Sequence, residues 1–174
     1  MRKQSKNEYQ AFISEVKEKI YAAQYEAFKV VNTYLISLYW EIGKMIVERQ
    51  ERLGWGKSVV EKLSKELKLE FPNLSGLSTQ NLWYMRQFYS EYNNNAILQP
   101  MVGEISWSKH IVIFSKCEKD LERVFYIKMT KKNGWTKAVL IHQIEIKSYE
   151  KFLISQSNFD ETISEKYEKI SYGI

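Results

Sequence analysis

Lysine, glutamate and aromatic side chains dominate the chemistry of this 174-residue sequence, while the usual metal ligands and nucleophiles are scarce. Aspartate occurs only at Asp120 and Asp160, histidine at His110 and His142, and cysteine at Cys117. Metal-dependent phosphodiester cleavage of the PD-(D/E)xK type needs an Asp and a Glu-x-Lys on adjacent strands sharing one ion. Glu-x-Lys stands at Glu15–Lys17, Glu66–Lys68 and Glu145–Lys147. The last is the least helical of the three and follows Asp120, but Asp120 falls in a segment of helical period, so these groups read as solvated helix charges. The two histidines are far apart and a single cysteine accompanies them, so no spacing resembles a zinc site. His142 and Glu145 share a helical face without a third or fourth ligand, and both histidines are expected to be buried or half-buried structural residues. No glycine-rich phosphate loop, nucleophile elbow or kinase signature occurs. The reading is a chain that is not an enzyme by itself, with no catalytic residue, no metal and no cofactor.

Polyanion binding is the chemistry the residues do allow. Lys plus Arg number 26 against 21 Asp plus Glu, a net charge of +5, and the pI is near 9.1. Between Lys109 and Lys137 eight positive charges face three negative ones, so this window equals the whole excess. Within it Lys128, Lys131 and Lys132 sit on neighbouring turns beside Trp135. Such a cluster suits phosphate contacts, which position a protein on a duplex without reading its sequence. A second candidate is the segment Thr79–Tyr92. At 100° per residue, Leu82, Met85, Phe88, Tyr89 and Tyr92 share one face. Gln80, Trp83, Tyr84, Gln87 and Glu91 share the other, with Arg86 at its margin. Glutamine can bond an adenine edge and arginine a guanine or a phosphate. The alternative is that Trp83 and Tyr84 bury against another helix or a second subunit.

The elements that must hold these side chains read as helices. Two prolines and seven glycines in 174 residues leave few turns. Apolar residues recur at three- and four-residue steps from Ala22 to Ile42, so residues 8–50 form one or two long helices, with Gly43 a close helix contact or a bend. Gly54-Trp55-Gly56 breaks the pattern. A short helix through Val59, Leu63 and Leu67 stops at Phe71-Pro72, because the residue before proline leaves helical geometry. Ser78 caps the next helix, which Asn93-Asn94-Asn95 closes. These two helices and their turn have the order of a helix-turn-helix, whose second helix enters the major groove. Residues 96–105 read as irregular, with a short β-hairpin wing as the alternative. Ser106 caps a further helix, Glu118–Asn133 forms another that ends at Gly134, and Thr136 caps one through Ile144. Residues 145–174 carry four positive and six negative charges and read as a last helix followed by a loose tail or linker. Tyr39, Trp40, Trp55, Leu63, Leu82, Met85 and Tyr89 are the expected core.

Hydrophobic residues at 44% and charged residues at 27% are globular values. The length supports one domain with a real core rather than two. One cysteine excludes an internal disulfide and points to a reducing compartment. No apolar run reaches the ~20 residues of a membrane span, and no apolar segment follows the polar start, so the chain reads as cytoplasmic.

A series of motifs adds a resemblance. Val31-Asn32, Leu38-Tyr39-Trp40-Glu41-Ile42-Gly43, Gly54-Trp55-Gly56, Leu63-Ser64, Phe71-Pro72 and Gly76-Leu77-Ser78 occur in order. Asn81-Leu82, Met85-Arg86, Phe88-Tyr89, Ser106-Trp107, Phe125-Tyr126, Gly134-Trp135 and Gln143-Ile144 continue the series. Together they resemble the N-terminal domain of the YhcG family of bacterial proteins, over roughly residues 10 to 160. The family tends to place a histidine two residues after the Trp matched by Trp107; here Lys109 stands there and His110 follows. The resemblance implies a DNA-binding, helix-turn-helix-like module that precedes a PD-(D/E)xK-type nuclease domain, with Ser157-Asn158-Phe159 similar to the junction. It therefore implies a helical domain over residues 1–150 and a terminal helix or linker over 151–174. The expected fold is an all-α bundle with an embedded helix-turn-helix. DNA and a linked or separate nuclease are the expected partners, with no membrane. The rival is a protein-interaction or homodimerisation module in which Trp83, Tyr84 and the long first helix meet another subunit.

Overall fold

The computed structural model describes residues 2–95 and 98–155, and the described residues are helical throughout, with no strand. With no proline and one glycine before Gly54, the first segment runs unbroken as α1, Arg2–Leu53. At 1.5 Å per residue it is about 78 Å long. Gly43 marks a close contact rather than a bend: a Cβ there would collide with the Met85 carbonyl of a neighbouring helix. The Gly54-Trp55-Gly56 break leads to α2, Lys57–Glu70. Phe71 leaves helical geometry before Pro72. Then α3, Thr79–Tyr92, starts where the Ser78 side chain accepts the Asn81 amide at 3.2 Å.

Between α3 and the next helix the described backbone forms a 3₁₀ turn, Gln99–Met101, so no hairpin wing exists among the described residues. The physical reason is local: Asn95 Oδ1 accepts the Leu98 amide at 3.0 Å, and Leu98 is buried in the core. The remaining helices are α4 (Trp107–Lys116), α5 (Asp120–Asn133) and α6 (Lys137–Glu145), followed by a helical run over residues 148–155. Gly134 ends α5 in the left-handed conformation at φ 62°. The expected loose tail and the Ser157-Asn158-Phe159 junction lie outside the described residues.

α3 is the centre of the molecule. It packs most extensively on α1 and also on α2 and α4. Its Phe88 is fully buried, with Trp40, Tyr92, Trp107, His110 and Phe114 around its ring. A smaller cluster of Tyr39, Ile46, Val60, Leu82 and Met85 joins α1, α2 and α3. Trp107 edges onto both Tyr39 and Phe88 and connects the two. Of the expected core, Tyr39, Leu82 and Met85 are buried and Trp40, Leu63 and Tyr89 are half-buried. Trp55 is a correction. It is 40% exposed, because the glycines on either side place it at the lip of a groove rather than on a packed helical face.

Candidate nucleic-acid interface

The turn between α2 and α3 is tied at every step. The Ser64 hydroxyl on α2 donates to the Leu77 carbonyl at 2.7 Å. Asn81 Nδ2 on α3 donates back to the Gly76 carbonyl at 2.6 Å. Asn81 Oδ1 in turn accepts the Trp107 indole N–H at 2.7 Å. Gly76 has φ 92°, and a Cβ there would strike the Tyr39 hydroxyl. The angle between α2 and α3 is therefore set by hydrogen bonds and one glycine, with the phenol of Tyr39 held above its usual pKa by burial.

On α3 the expected reading face is narrower than the helical wheel implies. Gln80 is exposed, at the first turn. Trp83 is half-buried against the smaller cluster. Tyr84 is half-buried, its ring 6.0 Å from Phe114. Arg86 is half-buried too, its Nε donating to Gln50 Oε1 on α1 at 2.5 Å and its guanidinium 5.8 Å from the Trp83 ring. Gln87 is half-buried. Three helices surround α3, so a side chain opposite its core face still meets a neighbour.

The lysines are gathered as expected. Lys128, Lys131 and Lys132 are exposed on α5 and line one shallow, open depression with Met101 and Glu104. Lys131 is ion-paired with Glu104. Between the two regions, Glu91 bonds Arg123 at 2.8 Å and Asn95 bonds Asp120 at 2.6 Å. These bonds join the end of α3 and the residues just after it to the first turn of α5. Gln80 thus stands at the far end of one helix, and the lysines at the far end of the other.

The remaining candidates for chemistry are held in structural roles. Asp120 bonds Asn95 and Arg123, whereas Glu145, in the last turn of α6, lies 4.0 Å from Lys116. No group of three or more His, Cys, Asp or Glu able to hold a metal occurs among the described residues. His110 is fully buried, its Nε2 2.9 Å from the Val102 carbonyl, and desolvation pushes its pKa down to about 4. The imidazole is therefore neutral. His142 is a correction: it is exposed, because it lies on the outer side of α6, whose buried residue is Leu140. Cys117 is buried, and burial raises its thiol to about 12, which makes it unreactive. None of the described helices is long and apolar enough to cross a membrane.

One feature escaped the sequence patterns. α1, α2 and the turn after α2 enclose an apolar groove of about 480 Å³ whose lip carries Leu38, Met45, Trp55, Phe71 and Leu74. The exposed aromatics beside Gly54, Gly56 and Pro72 were its only local signal.

A sequence profile described as the DUF1016 N-terminal domain matches residues 15–151. The protein called "Putative nuclease YhcG" of Escherichia coli (strain K12) is 29% identical over 167 residues, covering 77% of this chain and 44% of that protein. The chain thus spans less than half the length of this curated relative. No solved structure matches.

Proposed function

The chain belongs to the DUF1016 N-terminal domain family, and from that premise we propose that it binds DNA as the non-catalytic helical module of a YhcG-like nuclease system. The observation that carries the reading is the exposed trio Lys128, Lys131 and Lys132 on α5, inside the window that accounts for the net charge. Exposed lysines gathered on one helix end neutralise phosphates and release counterions, which gives affinity without base reading. Positioning is therefore the principal work of this module. Sequence choice, if α2 and α3 act as a helix-turn-helix, falls to Gln80 at the exposed start of α3. Arg86 contributes a base contact only by exchanging its bond to Gln50. The relative named as a putative nuclease supports a nuclease partner or linked domain as the activity being targeted.

Anisotropy titration of a labelled duplex at several salt concentrations tests this. Affinity falls linearly on a log–log plot, and Lys128→Ala/Lys131→Ala/Lys132→Ala weakens every duplex alike. The slope flattens by about 0.9 for each phosphate that the variant no longer neutralises. A chain with no salt-sensitive affinity for any duplex sinks the reading.

A further inference from the structure

α1 carries an apolar stripe that is mostly exposed and that no other described helix packs on extensively. At 100° per residue, all positions from Tyr9 to Leu38 that fall within one sector about 100° wide are apolar. This sector points away from the side of α1 that packs on α3 through Ile36, Tyr39, Gly43 and Ile46. Tyr34 is 74% and Ile20 52% exposed. Asn32 makes the first side-chain bonds from α1 to another element, to the Gly103 and Ile105 carbonyls, so the helix before it projects by some 40 Å. An unpacked helix of such length, rich in β-branched and aromatic residues, is marginal in water.

The stripe has a period of 3.5. One row runs Ile13, Ile20, Ala27, Tyr34, the other Tyr9, Val16, Ala23, Val30, each at seven-residue steps. Alternating spacings of four and three residues are the seam of a left-handed coiled coil. The pattern also selects the occupant and its direction. Set antiparallel on a second copy, Ile20 lies opposite the partner's Ala23, Val16 opposite the partner's Ala27, and Ile13 opposite the partner's Val30. Each alanine then meets a large β-branched side chain, which keeps the layers evenly filled. A parallel pair would instead stack alanine on alanine in two layers. Flanking charges agree: the antiparallel register brings Lys19 beside the partner's Glu26, twice by symmetry, whereas the parallel register sets Lys19 beside the partner's Gln24. In the monomer these groups make only exposed intrahelical pairs, Lys19 with Glu15 at 4.0 Å and Glu26 with Lys29 at 3.9 Å, which cost little to exchange.

We propose that residues 9–34 of α1 form a two-stranded antiparallel coiled coil with α1 of a second copy of this chain. The two helical bodies then lie at opposite ends of a rigid rod, each joined to it at Asn32.

Sedimentation velocity on the full chain reads the association, with twice the 20.8 kDa chain mass expected at micromolar concentration. Ile13→Gln/Ile20→Gln removes two seam residues well before Asn32, outside the part of α1 that packs on α3 through Ile36, Tyr39, Gly43 and Ile46, so the body stays folded by near-ultraviolet circular dichroism while the dimer is lost. Direction is read from Lys19→Glu, Glu26→Lys and the double swap. Residues 19 and 26 are two turns apart and do not meet within a chain. Each single variant should weaken the dimer several-fold, and the double should bind more tightly than either. A monomer at 100 µM, a trimer or tetramer, or a dimer that survives the glutamine pair overturns the proposal. A double swap weaker than both singles overturns the antiparallel direction.

Discussion

Burial fixes His110 in its neutral form. Buried beside Phe88 and Tyr92, it has no aqueous shell for a positive charge, and its pKa falls to about 4 against 6.5 in an open chain. The folded state therefore binds fewer protons than the unfolded state between these values. Stability contributed by the neutral ring is complete above pH 6.5 and lost as pH falls toward 4. A fall from 6.5 to about 4 corresponds to roughly 3 kcal/mol. Urea midpoints measured from pH 4 to 7 should show this slope, and His110→Phe should remove the part that histidine supplies. An unchanged slope in the variant would place the acid sensitivity elsewhere. His110 closes the core against the Val102 carbonyl.

At the scale of elements, α1 does two different jobs along one helix. Its second half packs on α3 at the closest approach the backbone allows, with Gly43 against Met85. Gly43→Ala should separate these helices and cost about 1–3 kcal/mol as overpacking, despite the better helix propensity of alanine. A thermal or denaturant melt checks the sign. Its first half packs on no other described element in the way the second half packs on α3, so on the coiled-coil proposal its amide protection should depend on protein concentration. Hydrogen exchange of residues 9–31 should be fast when dilute and slow when concentrated, while residues 36–46 stay protected throughout. Equal protection at both concentrations would mean that the first half does not depend on a partner. The length of α1 and the stop at Gly54 follow from local residue types. The division of labour within it does not, because both halves show apolar residues at three- and four-residue steps.

For the whole molecule, charge and shape make a joint prediction. A rod with a basic body at each end can engage one duplex at two places, and the second contact is then intramolecular. Affinity for a duplex long enough to reach both bodies should exceed that for a short one, and Ile13→Gln/Ile20→Gln should abolish the difference without changing short-duplex affinity. Anisotropy on two duplex lengths reads it. If the length effect survives in the glutamine pair, one body alone spans the longer site. The lysine trio remains the first variant to make, since its removal should lower affinity at every length.

The local features were determined by the sequence alone. Ser78 and Thr136 cap helices, Phe71-Pro72 and Gly134 end them, and Leu82, Met85, Phe88 and Tyr92 turn inward on α3, because each depends on neighbours within one or two turns. The family was legible for the same reason, as a series of short motifs in order. Tertiary structure alone decided which outward faces stay open. A helical wheel gives the direction of Arg86 but cannot show that Gln50, thirty-six residues earlier, arrives to bond it. It places Trp83 and Tyr84 opposite the core face of α3 without showing that a central helix has neighbours on that side too. Trp55 reads as core from its place in the motif series, yet the glycines around it put it on the rim of a groove. Exposure is a property of the whole packing arrangement, and only the folded chain states it.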